Sequence, residues 1–492
     1  MKIVIAGAGA VGTHLARMLS KENLDIVLID PSEDRLAKLN NELDIMMLAQ
    51  PTTSIHALRQ AGIEDADLFI AVTPQESENL ACCMLAKQLG AKQTVARIDN
   101  YEYLDEENGK LFKDAGISSL IYPEKLAAQE IAGSASYSWV RQWWDFDGGL
   151  VLVSVKMHRK SPVVNKDGSQ EQNLLIGRTL KEIGQEGHHF HVVAIKRNGE
   201  TIVPYGEEKI LPNDLVFFMT MKSEINVIRH LCGKDNYPAI KHIMILGGSK
   251  LSVRADWAIS DNVSVKIIEP DLERCEQLGR LTRERTLVIN GEGYDVELLK
   301  DEGYNNLEAF IALTPNDEEN ILSCVAARRN GVRKTIAQVE NLAYLDMAEA
   351  LDVGTIINKK KVAASHIYRM LLKADVDNVK MLTVADADVA EFIVKEGSKV
   401  TKQPIRDIGI PHNVNIGGMI RGGKGSLVTG NTQLKAGDKV VVFCGGSTLK
   451  KLDRYFREDY DKLASGIQVD RYPAFHRGRT VAAYYVGGTF LP

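Results

Sequence analysis

Residues 67–90 read DLFIAVTPQESENLACCMLAKQLG, and residues 308–331 read EAFIALTPNDEENILSCVAARRNG. A short apolar run, a Thr-Pro turn, an acidic helix start and a closing glycine occur twice in one order. Working outward, both copies continue into a strand, 94–98 and 335–339, and then reach Asn100 and Asn341. Upstream, VLIDPSEDR at 27–35 answers KIIEPDLER at 266–274, and IVIAGAGAVG at 3–12 answers IMILGGSKLS at 243–252. Partners stay about 240 residues apart throughout, a register that chance does not hold and an internal duplication does.

The segment after each copy repeats more faintly. LIGRTLKEIG at 175–184 parallels KQPIRDIGIP at 402–411, and the run 211–218 parallels 435–442. The order is therefore A-B-A′-B′, with boundaries near 134–149, 233–236 and 373–380. This divides the chain into 1–135, 141–231, 240–372, 378–452 and a tail, 453–492, that matches neither half. Inside A, apolar strands at 2–6, 25–29, 67–72 and 94–98 alternate with helical periodicity at 11–20, 32–41, 54–61 and 77–89. Such alternation predicts βαβ units and a parallel sheet. In B, short β runs at 150–157, 191–197 and 214–220 surround one short helical stretch. The expected fold class is α/β: two Rossmann-like doubly wound parallel sheets, each followed by a small α+β domain.

At 492 residues the chain is too long for one ordinary domain. Its 45% hydrophobic and 25% charged content is that of a soluble globular protein, and a net charge of -5 gives no basic footprint for nucleic acid. No apolar run reaches the length that spans a bilayer, and Met1 to Ile5 reads as a first strand and not as a signal peptide. Six cysteines without a C-x-x-C pair imply reduced thiols in a cytoplasm, and any membrane association has to come through a partner.

Gly7-Ala8-Gly9-Ala10-Val11-Gly12 is a G-x-G-x-x-G between a strand and a helix. Gly7 permits the turn, Gly9 lets backbone approach a pyrophosphate, and Gly12 permits close packing of helix on strand. The helix N-terminus then offers N–H groups to the phosphate. Asp30, 18 residues past Gly12, ends the second strand, where an acid binds a ribose diol and repels a 2′-phosphate. The expected ligand is an adenosine nucleotide with a free 2′-hydroxyl, NAD(H), ATP or ADP, and not NADP. Thr73-Pro74 and Arg97 end the fourth and fifth strands at the carboxyl edge of the sheet. Thr73-Pro74 reads equally as a helix-capping turn, and Arg97 equally as a solvated charge. The second copy keeps one diagnostic glycine in Gly247-Gly248-Ser249-Lys250, with Glu269 for the acid, Thr314-Pro315 retained and Gln338 in place of Arg97. Weaker or different nucleotide binding is expected there, or none.

His188-His189-Phe190-His191 has the look of a metal cluster, but the second copy carries His412-Asn413-Val414-Asn415, so a surface turn entering a strand is expected. Cys82-Cys83 reads as buried helix packing, and Tyr101, Tyr103, Trp143 and Trp144 as core or interface. An NAD-dependent oxidoreductase would share the loop and Asp30. It would also need a substrate domain with a general acid or base, which the B segments do not offer. A redox sensor acting on DNA would need a basic recognition helix.

Taken together, GAGAVG with Asp30, the DLFIAVTPQESEN stretch, LIGRTLKEIG, LPNDLVFF and the A-B-A′-B′ order resemble the TrkA-type regulatory subunits of Trk potassium uptake over about residues 1–455. Each A–B pair is similar to an RCK unit, a KTN domain plus a TrkA-C domain. The resemblance implies a non-enzymatic gating subunit, assembled as a tetramer on the cytoplasmic face of an integral membrane potassium transporter, that binds NAD(H) and ATP or ADP. It assigns Gly7 to Val11 to the phosphate loop, Asp30 to the ribose, and Thr73, Pro74 and Arg97 to the nucleotide wall. Some relatives carry arginine at the position of Ala10. Some use the Glu of a Pro-Glu-Lys turn for a cation shared between subunits, which makes Glu124 of Pro123-Glu124-Lys125 the metal candidate; the second copy has Lys359-Lys360-Lys361.

Overall fold

The computed structural model describes residues 1–21, 24–165, 167–187, 190–293, 295–370, 376–381, 387–445 and 449–456, and the backbone of four short stretches within 473–491. The first lobe runs β1 (Lys2–Ala6), α1 (Ala10–Leu19), β2 (Asp25–Asp30), α2 (Glu33–Asn40), β3 (Met46–Ala49), α3 (Ile55–Gln60), β4 (Leu68–Ala71), α4 (Glu76–Gln88), β5 (Gln93–Arg97), α5 (Glu106–Asp114), β6 (Ser119–Ile121) and α6 (Pro123–Ser134). All six strands are parallel, in the order β3-β2-β1-β4-β5-β6. The central strands are continuous apolar runs because helices cover both faces of a doubly wound sheet. Edge strands β3 and β6 escape periodicity analysis: both are short, and Met46 of β3 faces solvent.

A small antiparallel lobe follows: β7 (Gln142–Asp145), β8 (Leu150–Lys156), β9 (Lys160–Val164), β10 (Gln170–Gln172), α7 (Leu180–Gln185), β11 (Phe190–Arg197), β12 (Glu200–Ile202), β13 (Leu215–Met221) and α8 (Ile225–Leu231). Its sheet order is β12-β11-β13-β8-β7. Thr179 and Glu182 form a capping box at the start of α7. The sequence pointed to one helix here; α8 is a second, packed by Ile225, Ile228 and Leu231 under the sheet.

The second copy repeats the plan with β14 (His242–Leu246), α9 (Lys250–Ala258), β15 (Ser264–Glu269), α10 (Leu272–Leu281), β16 (Leu287–Asn290), α11 (Val296–Asp301), β17 (Ala309–Ala312), α12 (Asp317–Arg329), β18 (Lys334–Gln338), α13 (Leu345–Ala350), β19 (Thr355–Ile357) and α14 (Lys359–Arg369). The order β16-β15-β14-β17-β18-β19 is that of the first sheet. The closing lobe holds β20 (Val376–Met381), β21 (Ala387–Ile393), β22 (Val414–Arg421), β23 (Lys424–Leu427), β24 (Lys439–Gly445) and α15 (Leu449–Phe456), in the order β20-β21-β24-β22-β23. His188, His189, the boundary near 373–380 and most of the tail lie wholly or partly outside the described residues. No helix among the described residues is long and apolar enough to cross a membrane.

The two Rossmann lobes exchange their last helices. Ala127, Ala128 and Ile131 of α6, with Ala135 just past its end, share a core with Ile243, Ile245, Leu251 and Leu278 of the second lobe. Ala363, Ala364, Ile367 and Tyr368 of α14 share one with Ile3, Ile5, Leu15 and Leu19 of the first. The small lobes pack sheet to sheet, with the Phe217 and Phe443 rings 6.2 Å apart. Gly148 makes that approach possible: its φ is +68°, and a Cβ there would fall 2.3 Å from the Gly425 nitrogen. Trp143 and Trp144 are buried as expected, and Cys82 and Cys83 are fully buried on α4. Tyr101 lies at the seam between the lobes, beneath the Arg254 guanidinium of α9 at 4.2 Å.

A charged junction joins the first small lobe to the second Rossmann lobe. Asp352 pairs with Arg141 and lies 2.6 Å from Arg328 and 3.6 Å from His158. Lys334 is buried and donates to the Val140 carbonyl at 2.6 Å and to Thr355 Oγ1 at 2.9 Å. Burial alone would raise the Asp352 carboxyl, but Arg141, the His158 hydrogen bond and Arg328 outweigh it and hold it far below the usual carboxylate range.

Candidate functional site between the Rossmann lobes

The first phosphate loop is built by three glycines that do different things. Gly7 adopts φ +105° and donates its N–H to the Ile29 carbonyl at 2.8 Å; a Cβ on it would press on Thr73. Gly12 is pinned by the loop itself, since a Cβ there would fall 1.8 Å from the Gly7 carbonyl oxygen. Gly9 faces open space, with nothing within 4 Å of an added Cβ. It is also the N-cap of α1, which has no side-chain cap and no acid in its first turn. The first N–H groups of that helix have no intrahelical acceptor and point into the space beside Gly9. Ala10 and Val11 form the first turn.

Asp30 is 3% exposed and clamps the loop: Oδ2 accepts from Ala8 N at 2.7 Å and Oδ1 from Ser32 N at 2.9 Å, with Arg35 at 3.6 Å. An ionised carboxylate has about four acceptor positions, so two hydrogen bonds leave room for a diol. Thr73-Pro74 is held by Asn79 of α4. Asn79 accepts from Thr73 N at 2.8 Å and donates to the Thr73 and Arg97 carbonyls at 3.0 and 2.9 Å. The Arg97 guanidinium donates to the Thr73 carbonyl at 3.3 Å and to Asp99 at 3.0 Å.

These elements open on a cavity of about 930 Å³ between the lobes. Ala8, Gly9, Ala10, His14, Arg17, Arg35 and Pro74 line it from the first lobe, and Pro315, Asp317, Glu318, Glu340 and Lys360 from the second. Burial pushes the His14 imidazole down to about 4, helped by Lys361, Lys360 and Arg17. Asp30, Thr73 and Arg97 stand behind this lining and shape it without forming it.

The second pocket, of about 560 Å³, has the same plan and a different chemistry. Gly247 repeats the turn at φ +92°, and Glu269 accepts from Gly248 N at 2.6 Å. A Cβ on Gly248 would lie 2.5 Å from Leu278 Cδ1 and 2.8 Å from that carboxylate, so both side-chain ends would have to shift to admit one. Ser249 caps its own helix by accepting from Ser252 N at 3.2 Å. Ser252, where the first copy has Gly12, donates to the Gly247 carbonyl at 2.5 Å. The lining includes Thr314 and Gln338, the carboxylates of Glu124, Glu269, Glu292 and Glu319, and the ammonium groups of Lys250 and Lys359. Glu124 reaches this pocket from α6, is 7% exposed and lies 3.3 Å from Lys359 Nζ. No group of three or more metal-ligating side chains gathers among the described residues.

Sequence reasoning passed over Asn79 and its twin Asn320, which holds Thr314 in the same way. The signal was present in T-P-x-x-x-x-N, which occurs in both copies. It also passed over His14, Arg17 and Lys360. The first two follow the loop at helical spacing, but Lys360 comes from the other lobe and has no local signature.

TrkA-N domain models match residues 3–123 and 243–359, and TrkA-C domain models match 171–233 and 389–457. The chain is 32% identical to the Trk system potassium uptake protein TrkA of Halomonas elongata over 448 residues, 90% of this chain and 95% of that one. Against the protein of the same name from Vibrio alginolyticus it is 32% identical over 452 residues, again 90% and 95%. Among solved structures, the GsuK RCK domain aligns with a TM-score of 0.57 at 15% identity, covering 95% of each chain. The GsuK channel bound to NAD aligns with a TM-score of 0.56 at 16% identity, covering 95% of this chain and 79% of that one. At such identity these two likenesses concern the fold alone. With the TrkA-N and TrkA-C units alternating twice, in register with relatives matched over nearly their whole length, this chain belongs to the TrkA family of Trk system potassium uptake proteins.

Proposed function

We propose that this protein is the nucleotide-binding gating subunit of a potassium uptake transporter, working by change of shape and catalysing no reaction. One observation carries the reading. The uncapped N-terminus of α1 and the open space at Gly9 face a basic-floored cavity whose roof belongs to the other lobe. A phosphate bound there touches both lobes, so its affinity depends on how they sit, and a ligand shifts a conformational equilibrium only through such unequal affinity. The residues fit an adenosine nucleotide: Gly7 to Gly12 for the phosphates, Asp30 for the ribose, Thr73, Pro74 and Arg97 for the wall behind. NAD(H) and ATP or ADP are the ligands. The self-capped second loop of Gly247, Gly248, Ser249 and Lys250, with Glu269 and Thr314, binds nucleotide more weakly. Four copies form the ring, at the cytoplasmic face of an integral membrane transporter. The relatives' name supports the output, and the NAD-bound GsuK channel of like fold supports the input.

The test is thermal stabilisation of the purified chain by NAD, NADH, NADP, ATP and ADP, since a ligand that binds only the native state raises the melting point. NADH or ATP should stabilise and NADP should not. Equal stabilisation by NAD and NADP would remove Asp30 from its role. Normal potassium uptake in cells lacking the protein would overturn the gating function.

A further inference from the structure

The first turn of each exchanged helix lies at the phosphate loop of the opposite lobe. At the second pocket that turn presents Glu124, and at the first it presents Lys360. The two residues hold matching places in Pro123-Glu124-Lys125 and Lys359-Lys360-Lys361, so one position carries opposite charge at the two loops. The loops differ to match. The one facing Glu124 has Ser249 to cap its own helix, while the one facing Lys360 has Gly9 and no cap.

We infer that Lys360 is a phosphate ligand delivered to the first pocket by the second lobe, where it grips the outer phosphates of a nucleoside di- or triphosphate and so ties the lobes together. This rests on the first pocket being the nucleotide site. Lys360 Nζ donates to the Glu340 carbonyl at 2.5 Å, and an ammonium has three donors, so two remain for the cavity. Across the cavity stand His14, Arg17 and Arg35 of the first lobe. The other charged groups of the roof are acidic. Asp317 accepts the Glu340 and Asn341 N–H groups, at 2.9 and 2.7 Å, and Glu318 accepts the Tyr344 hydroxyl at 2.9 Å. Glu340 lines the same roof with its carboxyl raised by burial, against the opposing pull of Lys359 and Lys360. A roof of carboxylates alone repels a phosphate; Lys360 is the group that lets the second lobe close over one. The inner phosphate needs no such help, because the N-terminus of α1 receives it.

The assignment predicts a dependence on phosphate number, which calorimetric titration of the full chain with AMP, ADP and ATP reads directly. In the unaltered protein affinity should climb from AMP to ATP. Lys360→Ala should weaken ATP by about tenfold or more, as expected for a lost charge-assisted hydrogen bond, and leave AMP within about twofold. Lys360→Met, which keeps the apolar stem, should reproduce the loss, and Lys360→Arg should restore most of it. Unchanged ATP affinity in both Lys360→Ala and Lys360→Met overturns the inference, as does an equal loss for AMP and ATP. If the unaltered chain binds none of the three, the nucleotide reading itself fails, and that result is distinct from the other two.

Discussion

A Cβ on Gly12 would land 1.8 Å from the Gly7 carbonyl oxygen, whereas one on Gly9 would meet nothing. The two glycines should therefore separate stability from binding. Gly12→Val is expected to lower the melting point of the ligand-free protein, at an overpacking cost of about 1–3 kcal/mol. Gly9→Val should leave that melting point in place and abolish the shift produced by ADP. Thermal scans of both variants with and without ADP check the pair. Two histidines give a pH dependence. His14 and His158 are each held down to about 4, in both cases chiefly by burial. Between that value and about 6.5 the unfolded chain binds protons that the native state refuses, so stability rises with pH across this window and is lost as pH falls through it. Each residue should account for about 3 kcal/mol of stability lost as the pH falls through the window, and His14→Asn together with His158→Asn should flatten denaturant midpoints measured between pH 6.5 and 4. At this scale the sequence was legible where chemistry forces a residue type. The turn glycine at Gly7 and Gly247, the acid that ends the second strand and the Thr-Pro turns could be picked out directly, because each recurs in the second copy. Asn79 could not, because an asparagine that braces a turn looks like any polar residue on a helix. Nor could the hold of Asp30 on the loop through Ala8 N, because the expectation for that acid was a ribose diol alone.

Among the elements, α6 and α14 are the ones whose role was least visible. Both are helices of ordinary periodicity, and nothing local says that the apolar face of each belongs to the other lobe. Strands β3 and β6 were hidden for a plainer reason, being short and at sheet edges, whereas the buried strands β1, β2 and β4 announced themselves by continuous apolar runs. The loop between α13 and β19 carries Asp352, at φ +53°, into the cluster of Arg141, Arg328 and His158. Removing one partner of a part-buried ion cluster leaves the others partly uncompensated, which costs about 1–3 kcal/mol. Asp352→Asn should destabilise by that order in urea and loosen the hold of the first small lobe on β18 and β19. Hydrogen exchange at β7 and β19 should rise together. Exchange rising at one strand alone would mean that the cluster does not couple them.

For the whole molecule, shared cores mean that neither half owns a complete interior. The A-B-A′-B′ order could be read from the register of the repeats, but the interlocking of the halves could not, since a repeat says how often a unit occurs and not which copy covers it. The full chain should therefore melt in one calorimetric transition across both Rossmann lobes. A fragment of residues 1–232 would expose the apolar face of α6 and leave α1 without α14. It is expected to pair with a second copy of itself, each lending α6 to the other, and sedimentation should find dimers or larger species. A stable monomeric fragment would contradict the exchange of helices. The same exchange has a consequence for heredity. A pocket whose roof came from an identical chain would have to carry the same residue at both loops, so any mutation that improved one site would be imposed on the other. Here floor and roof are separate stretches of a single gene, and Lys360 and Glu124 are free to differ. The lineage can tune one pocket while letting its twin drift, and every copy of the protein is born with one of each.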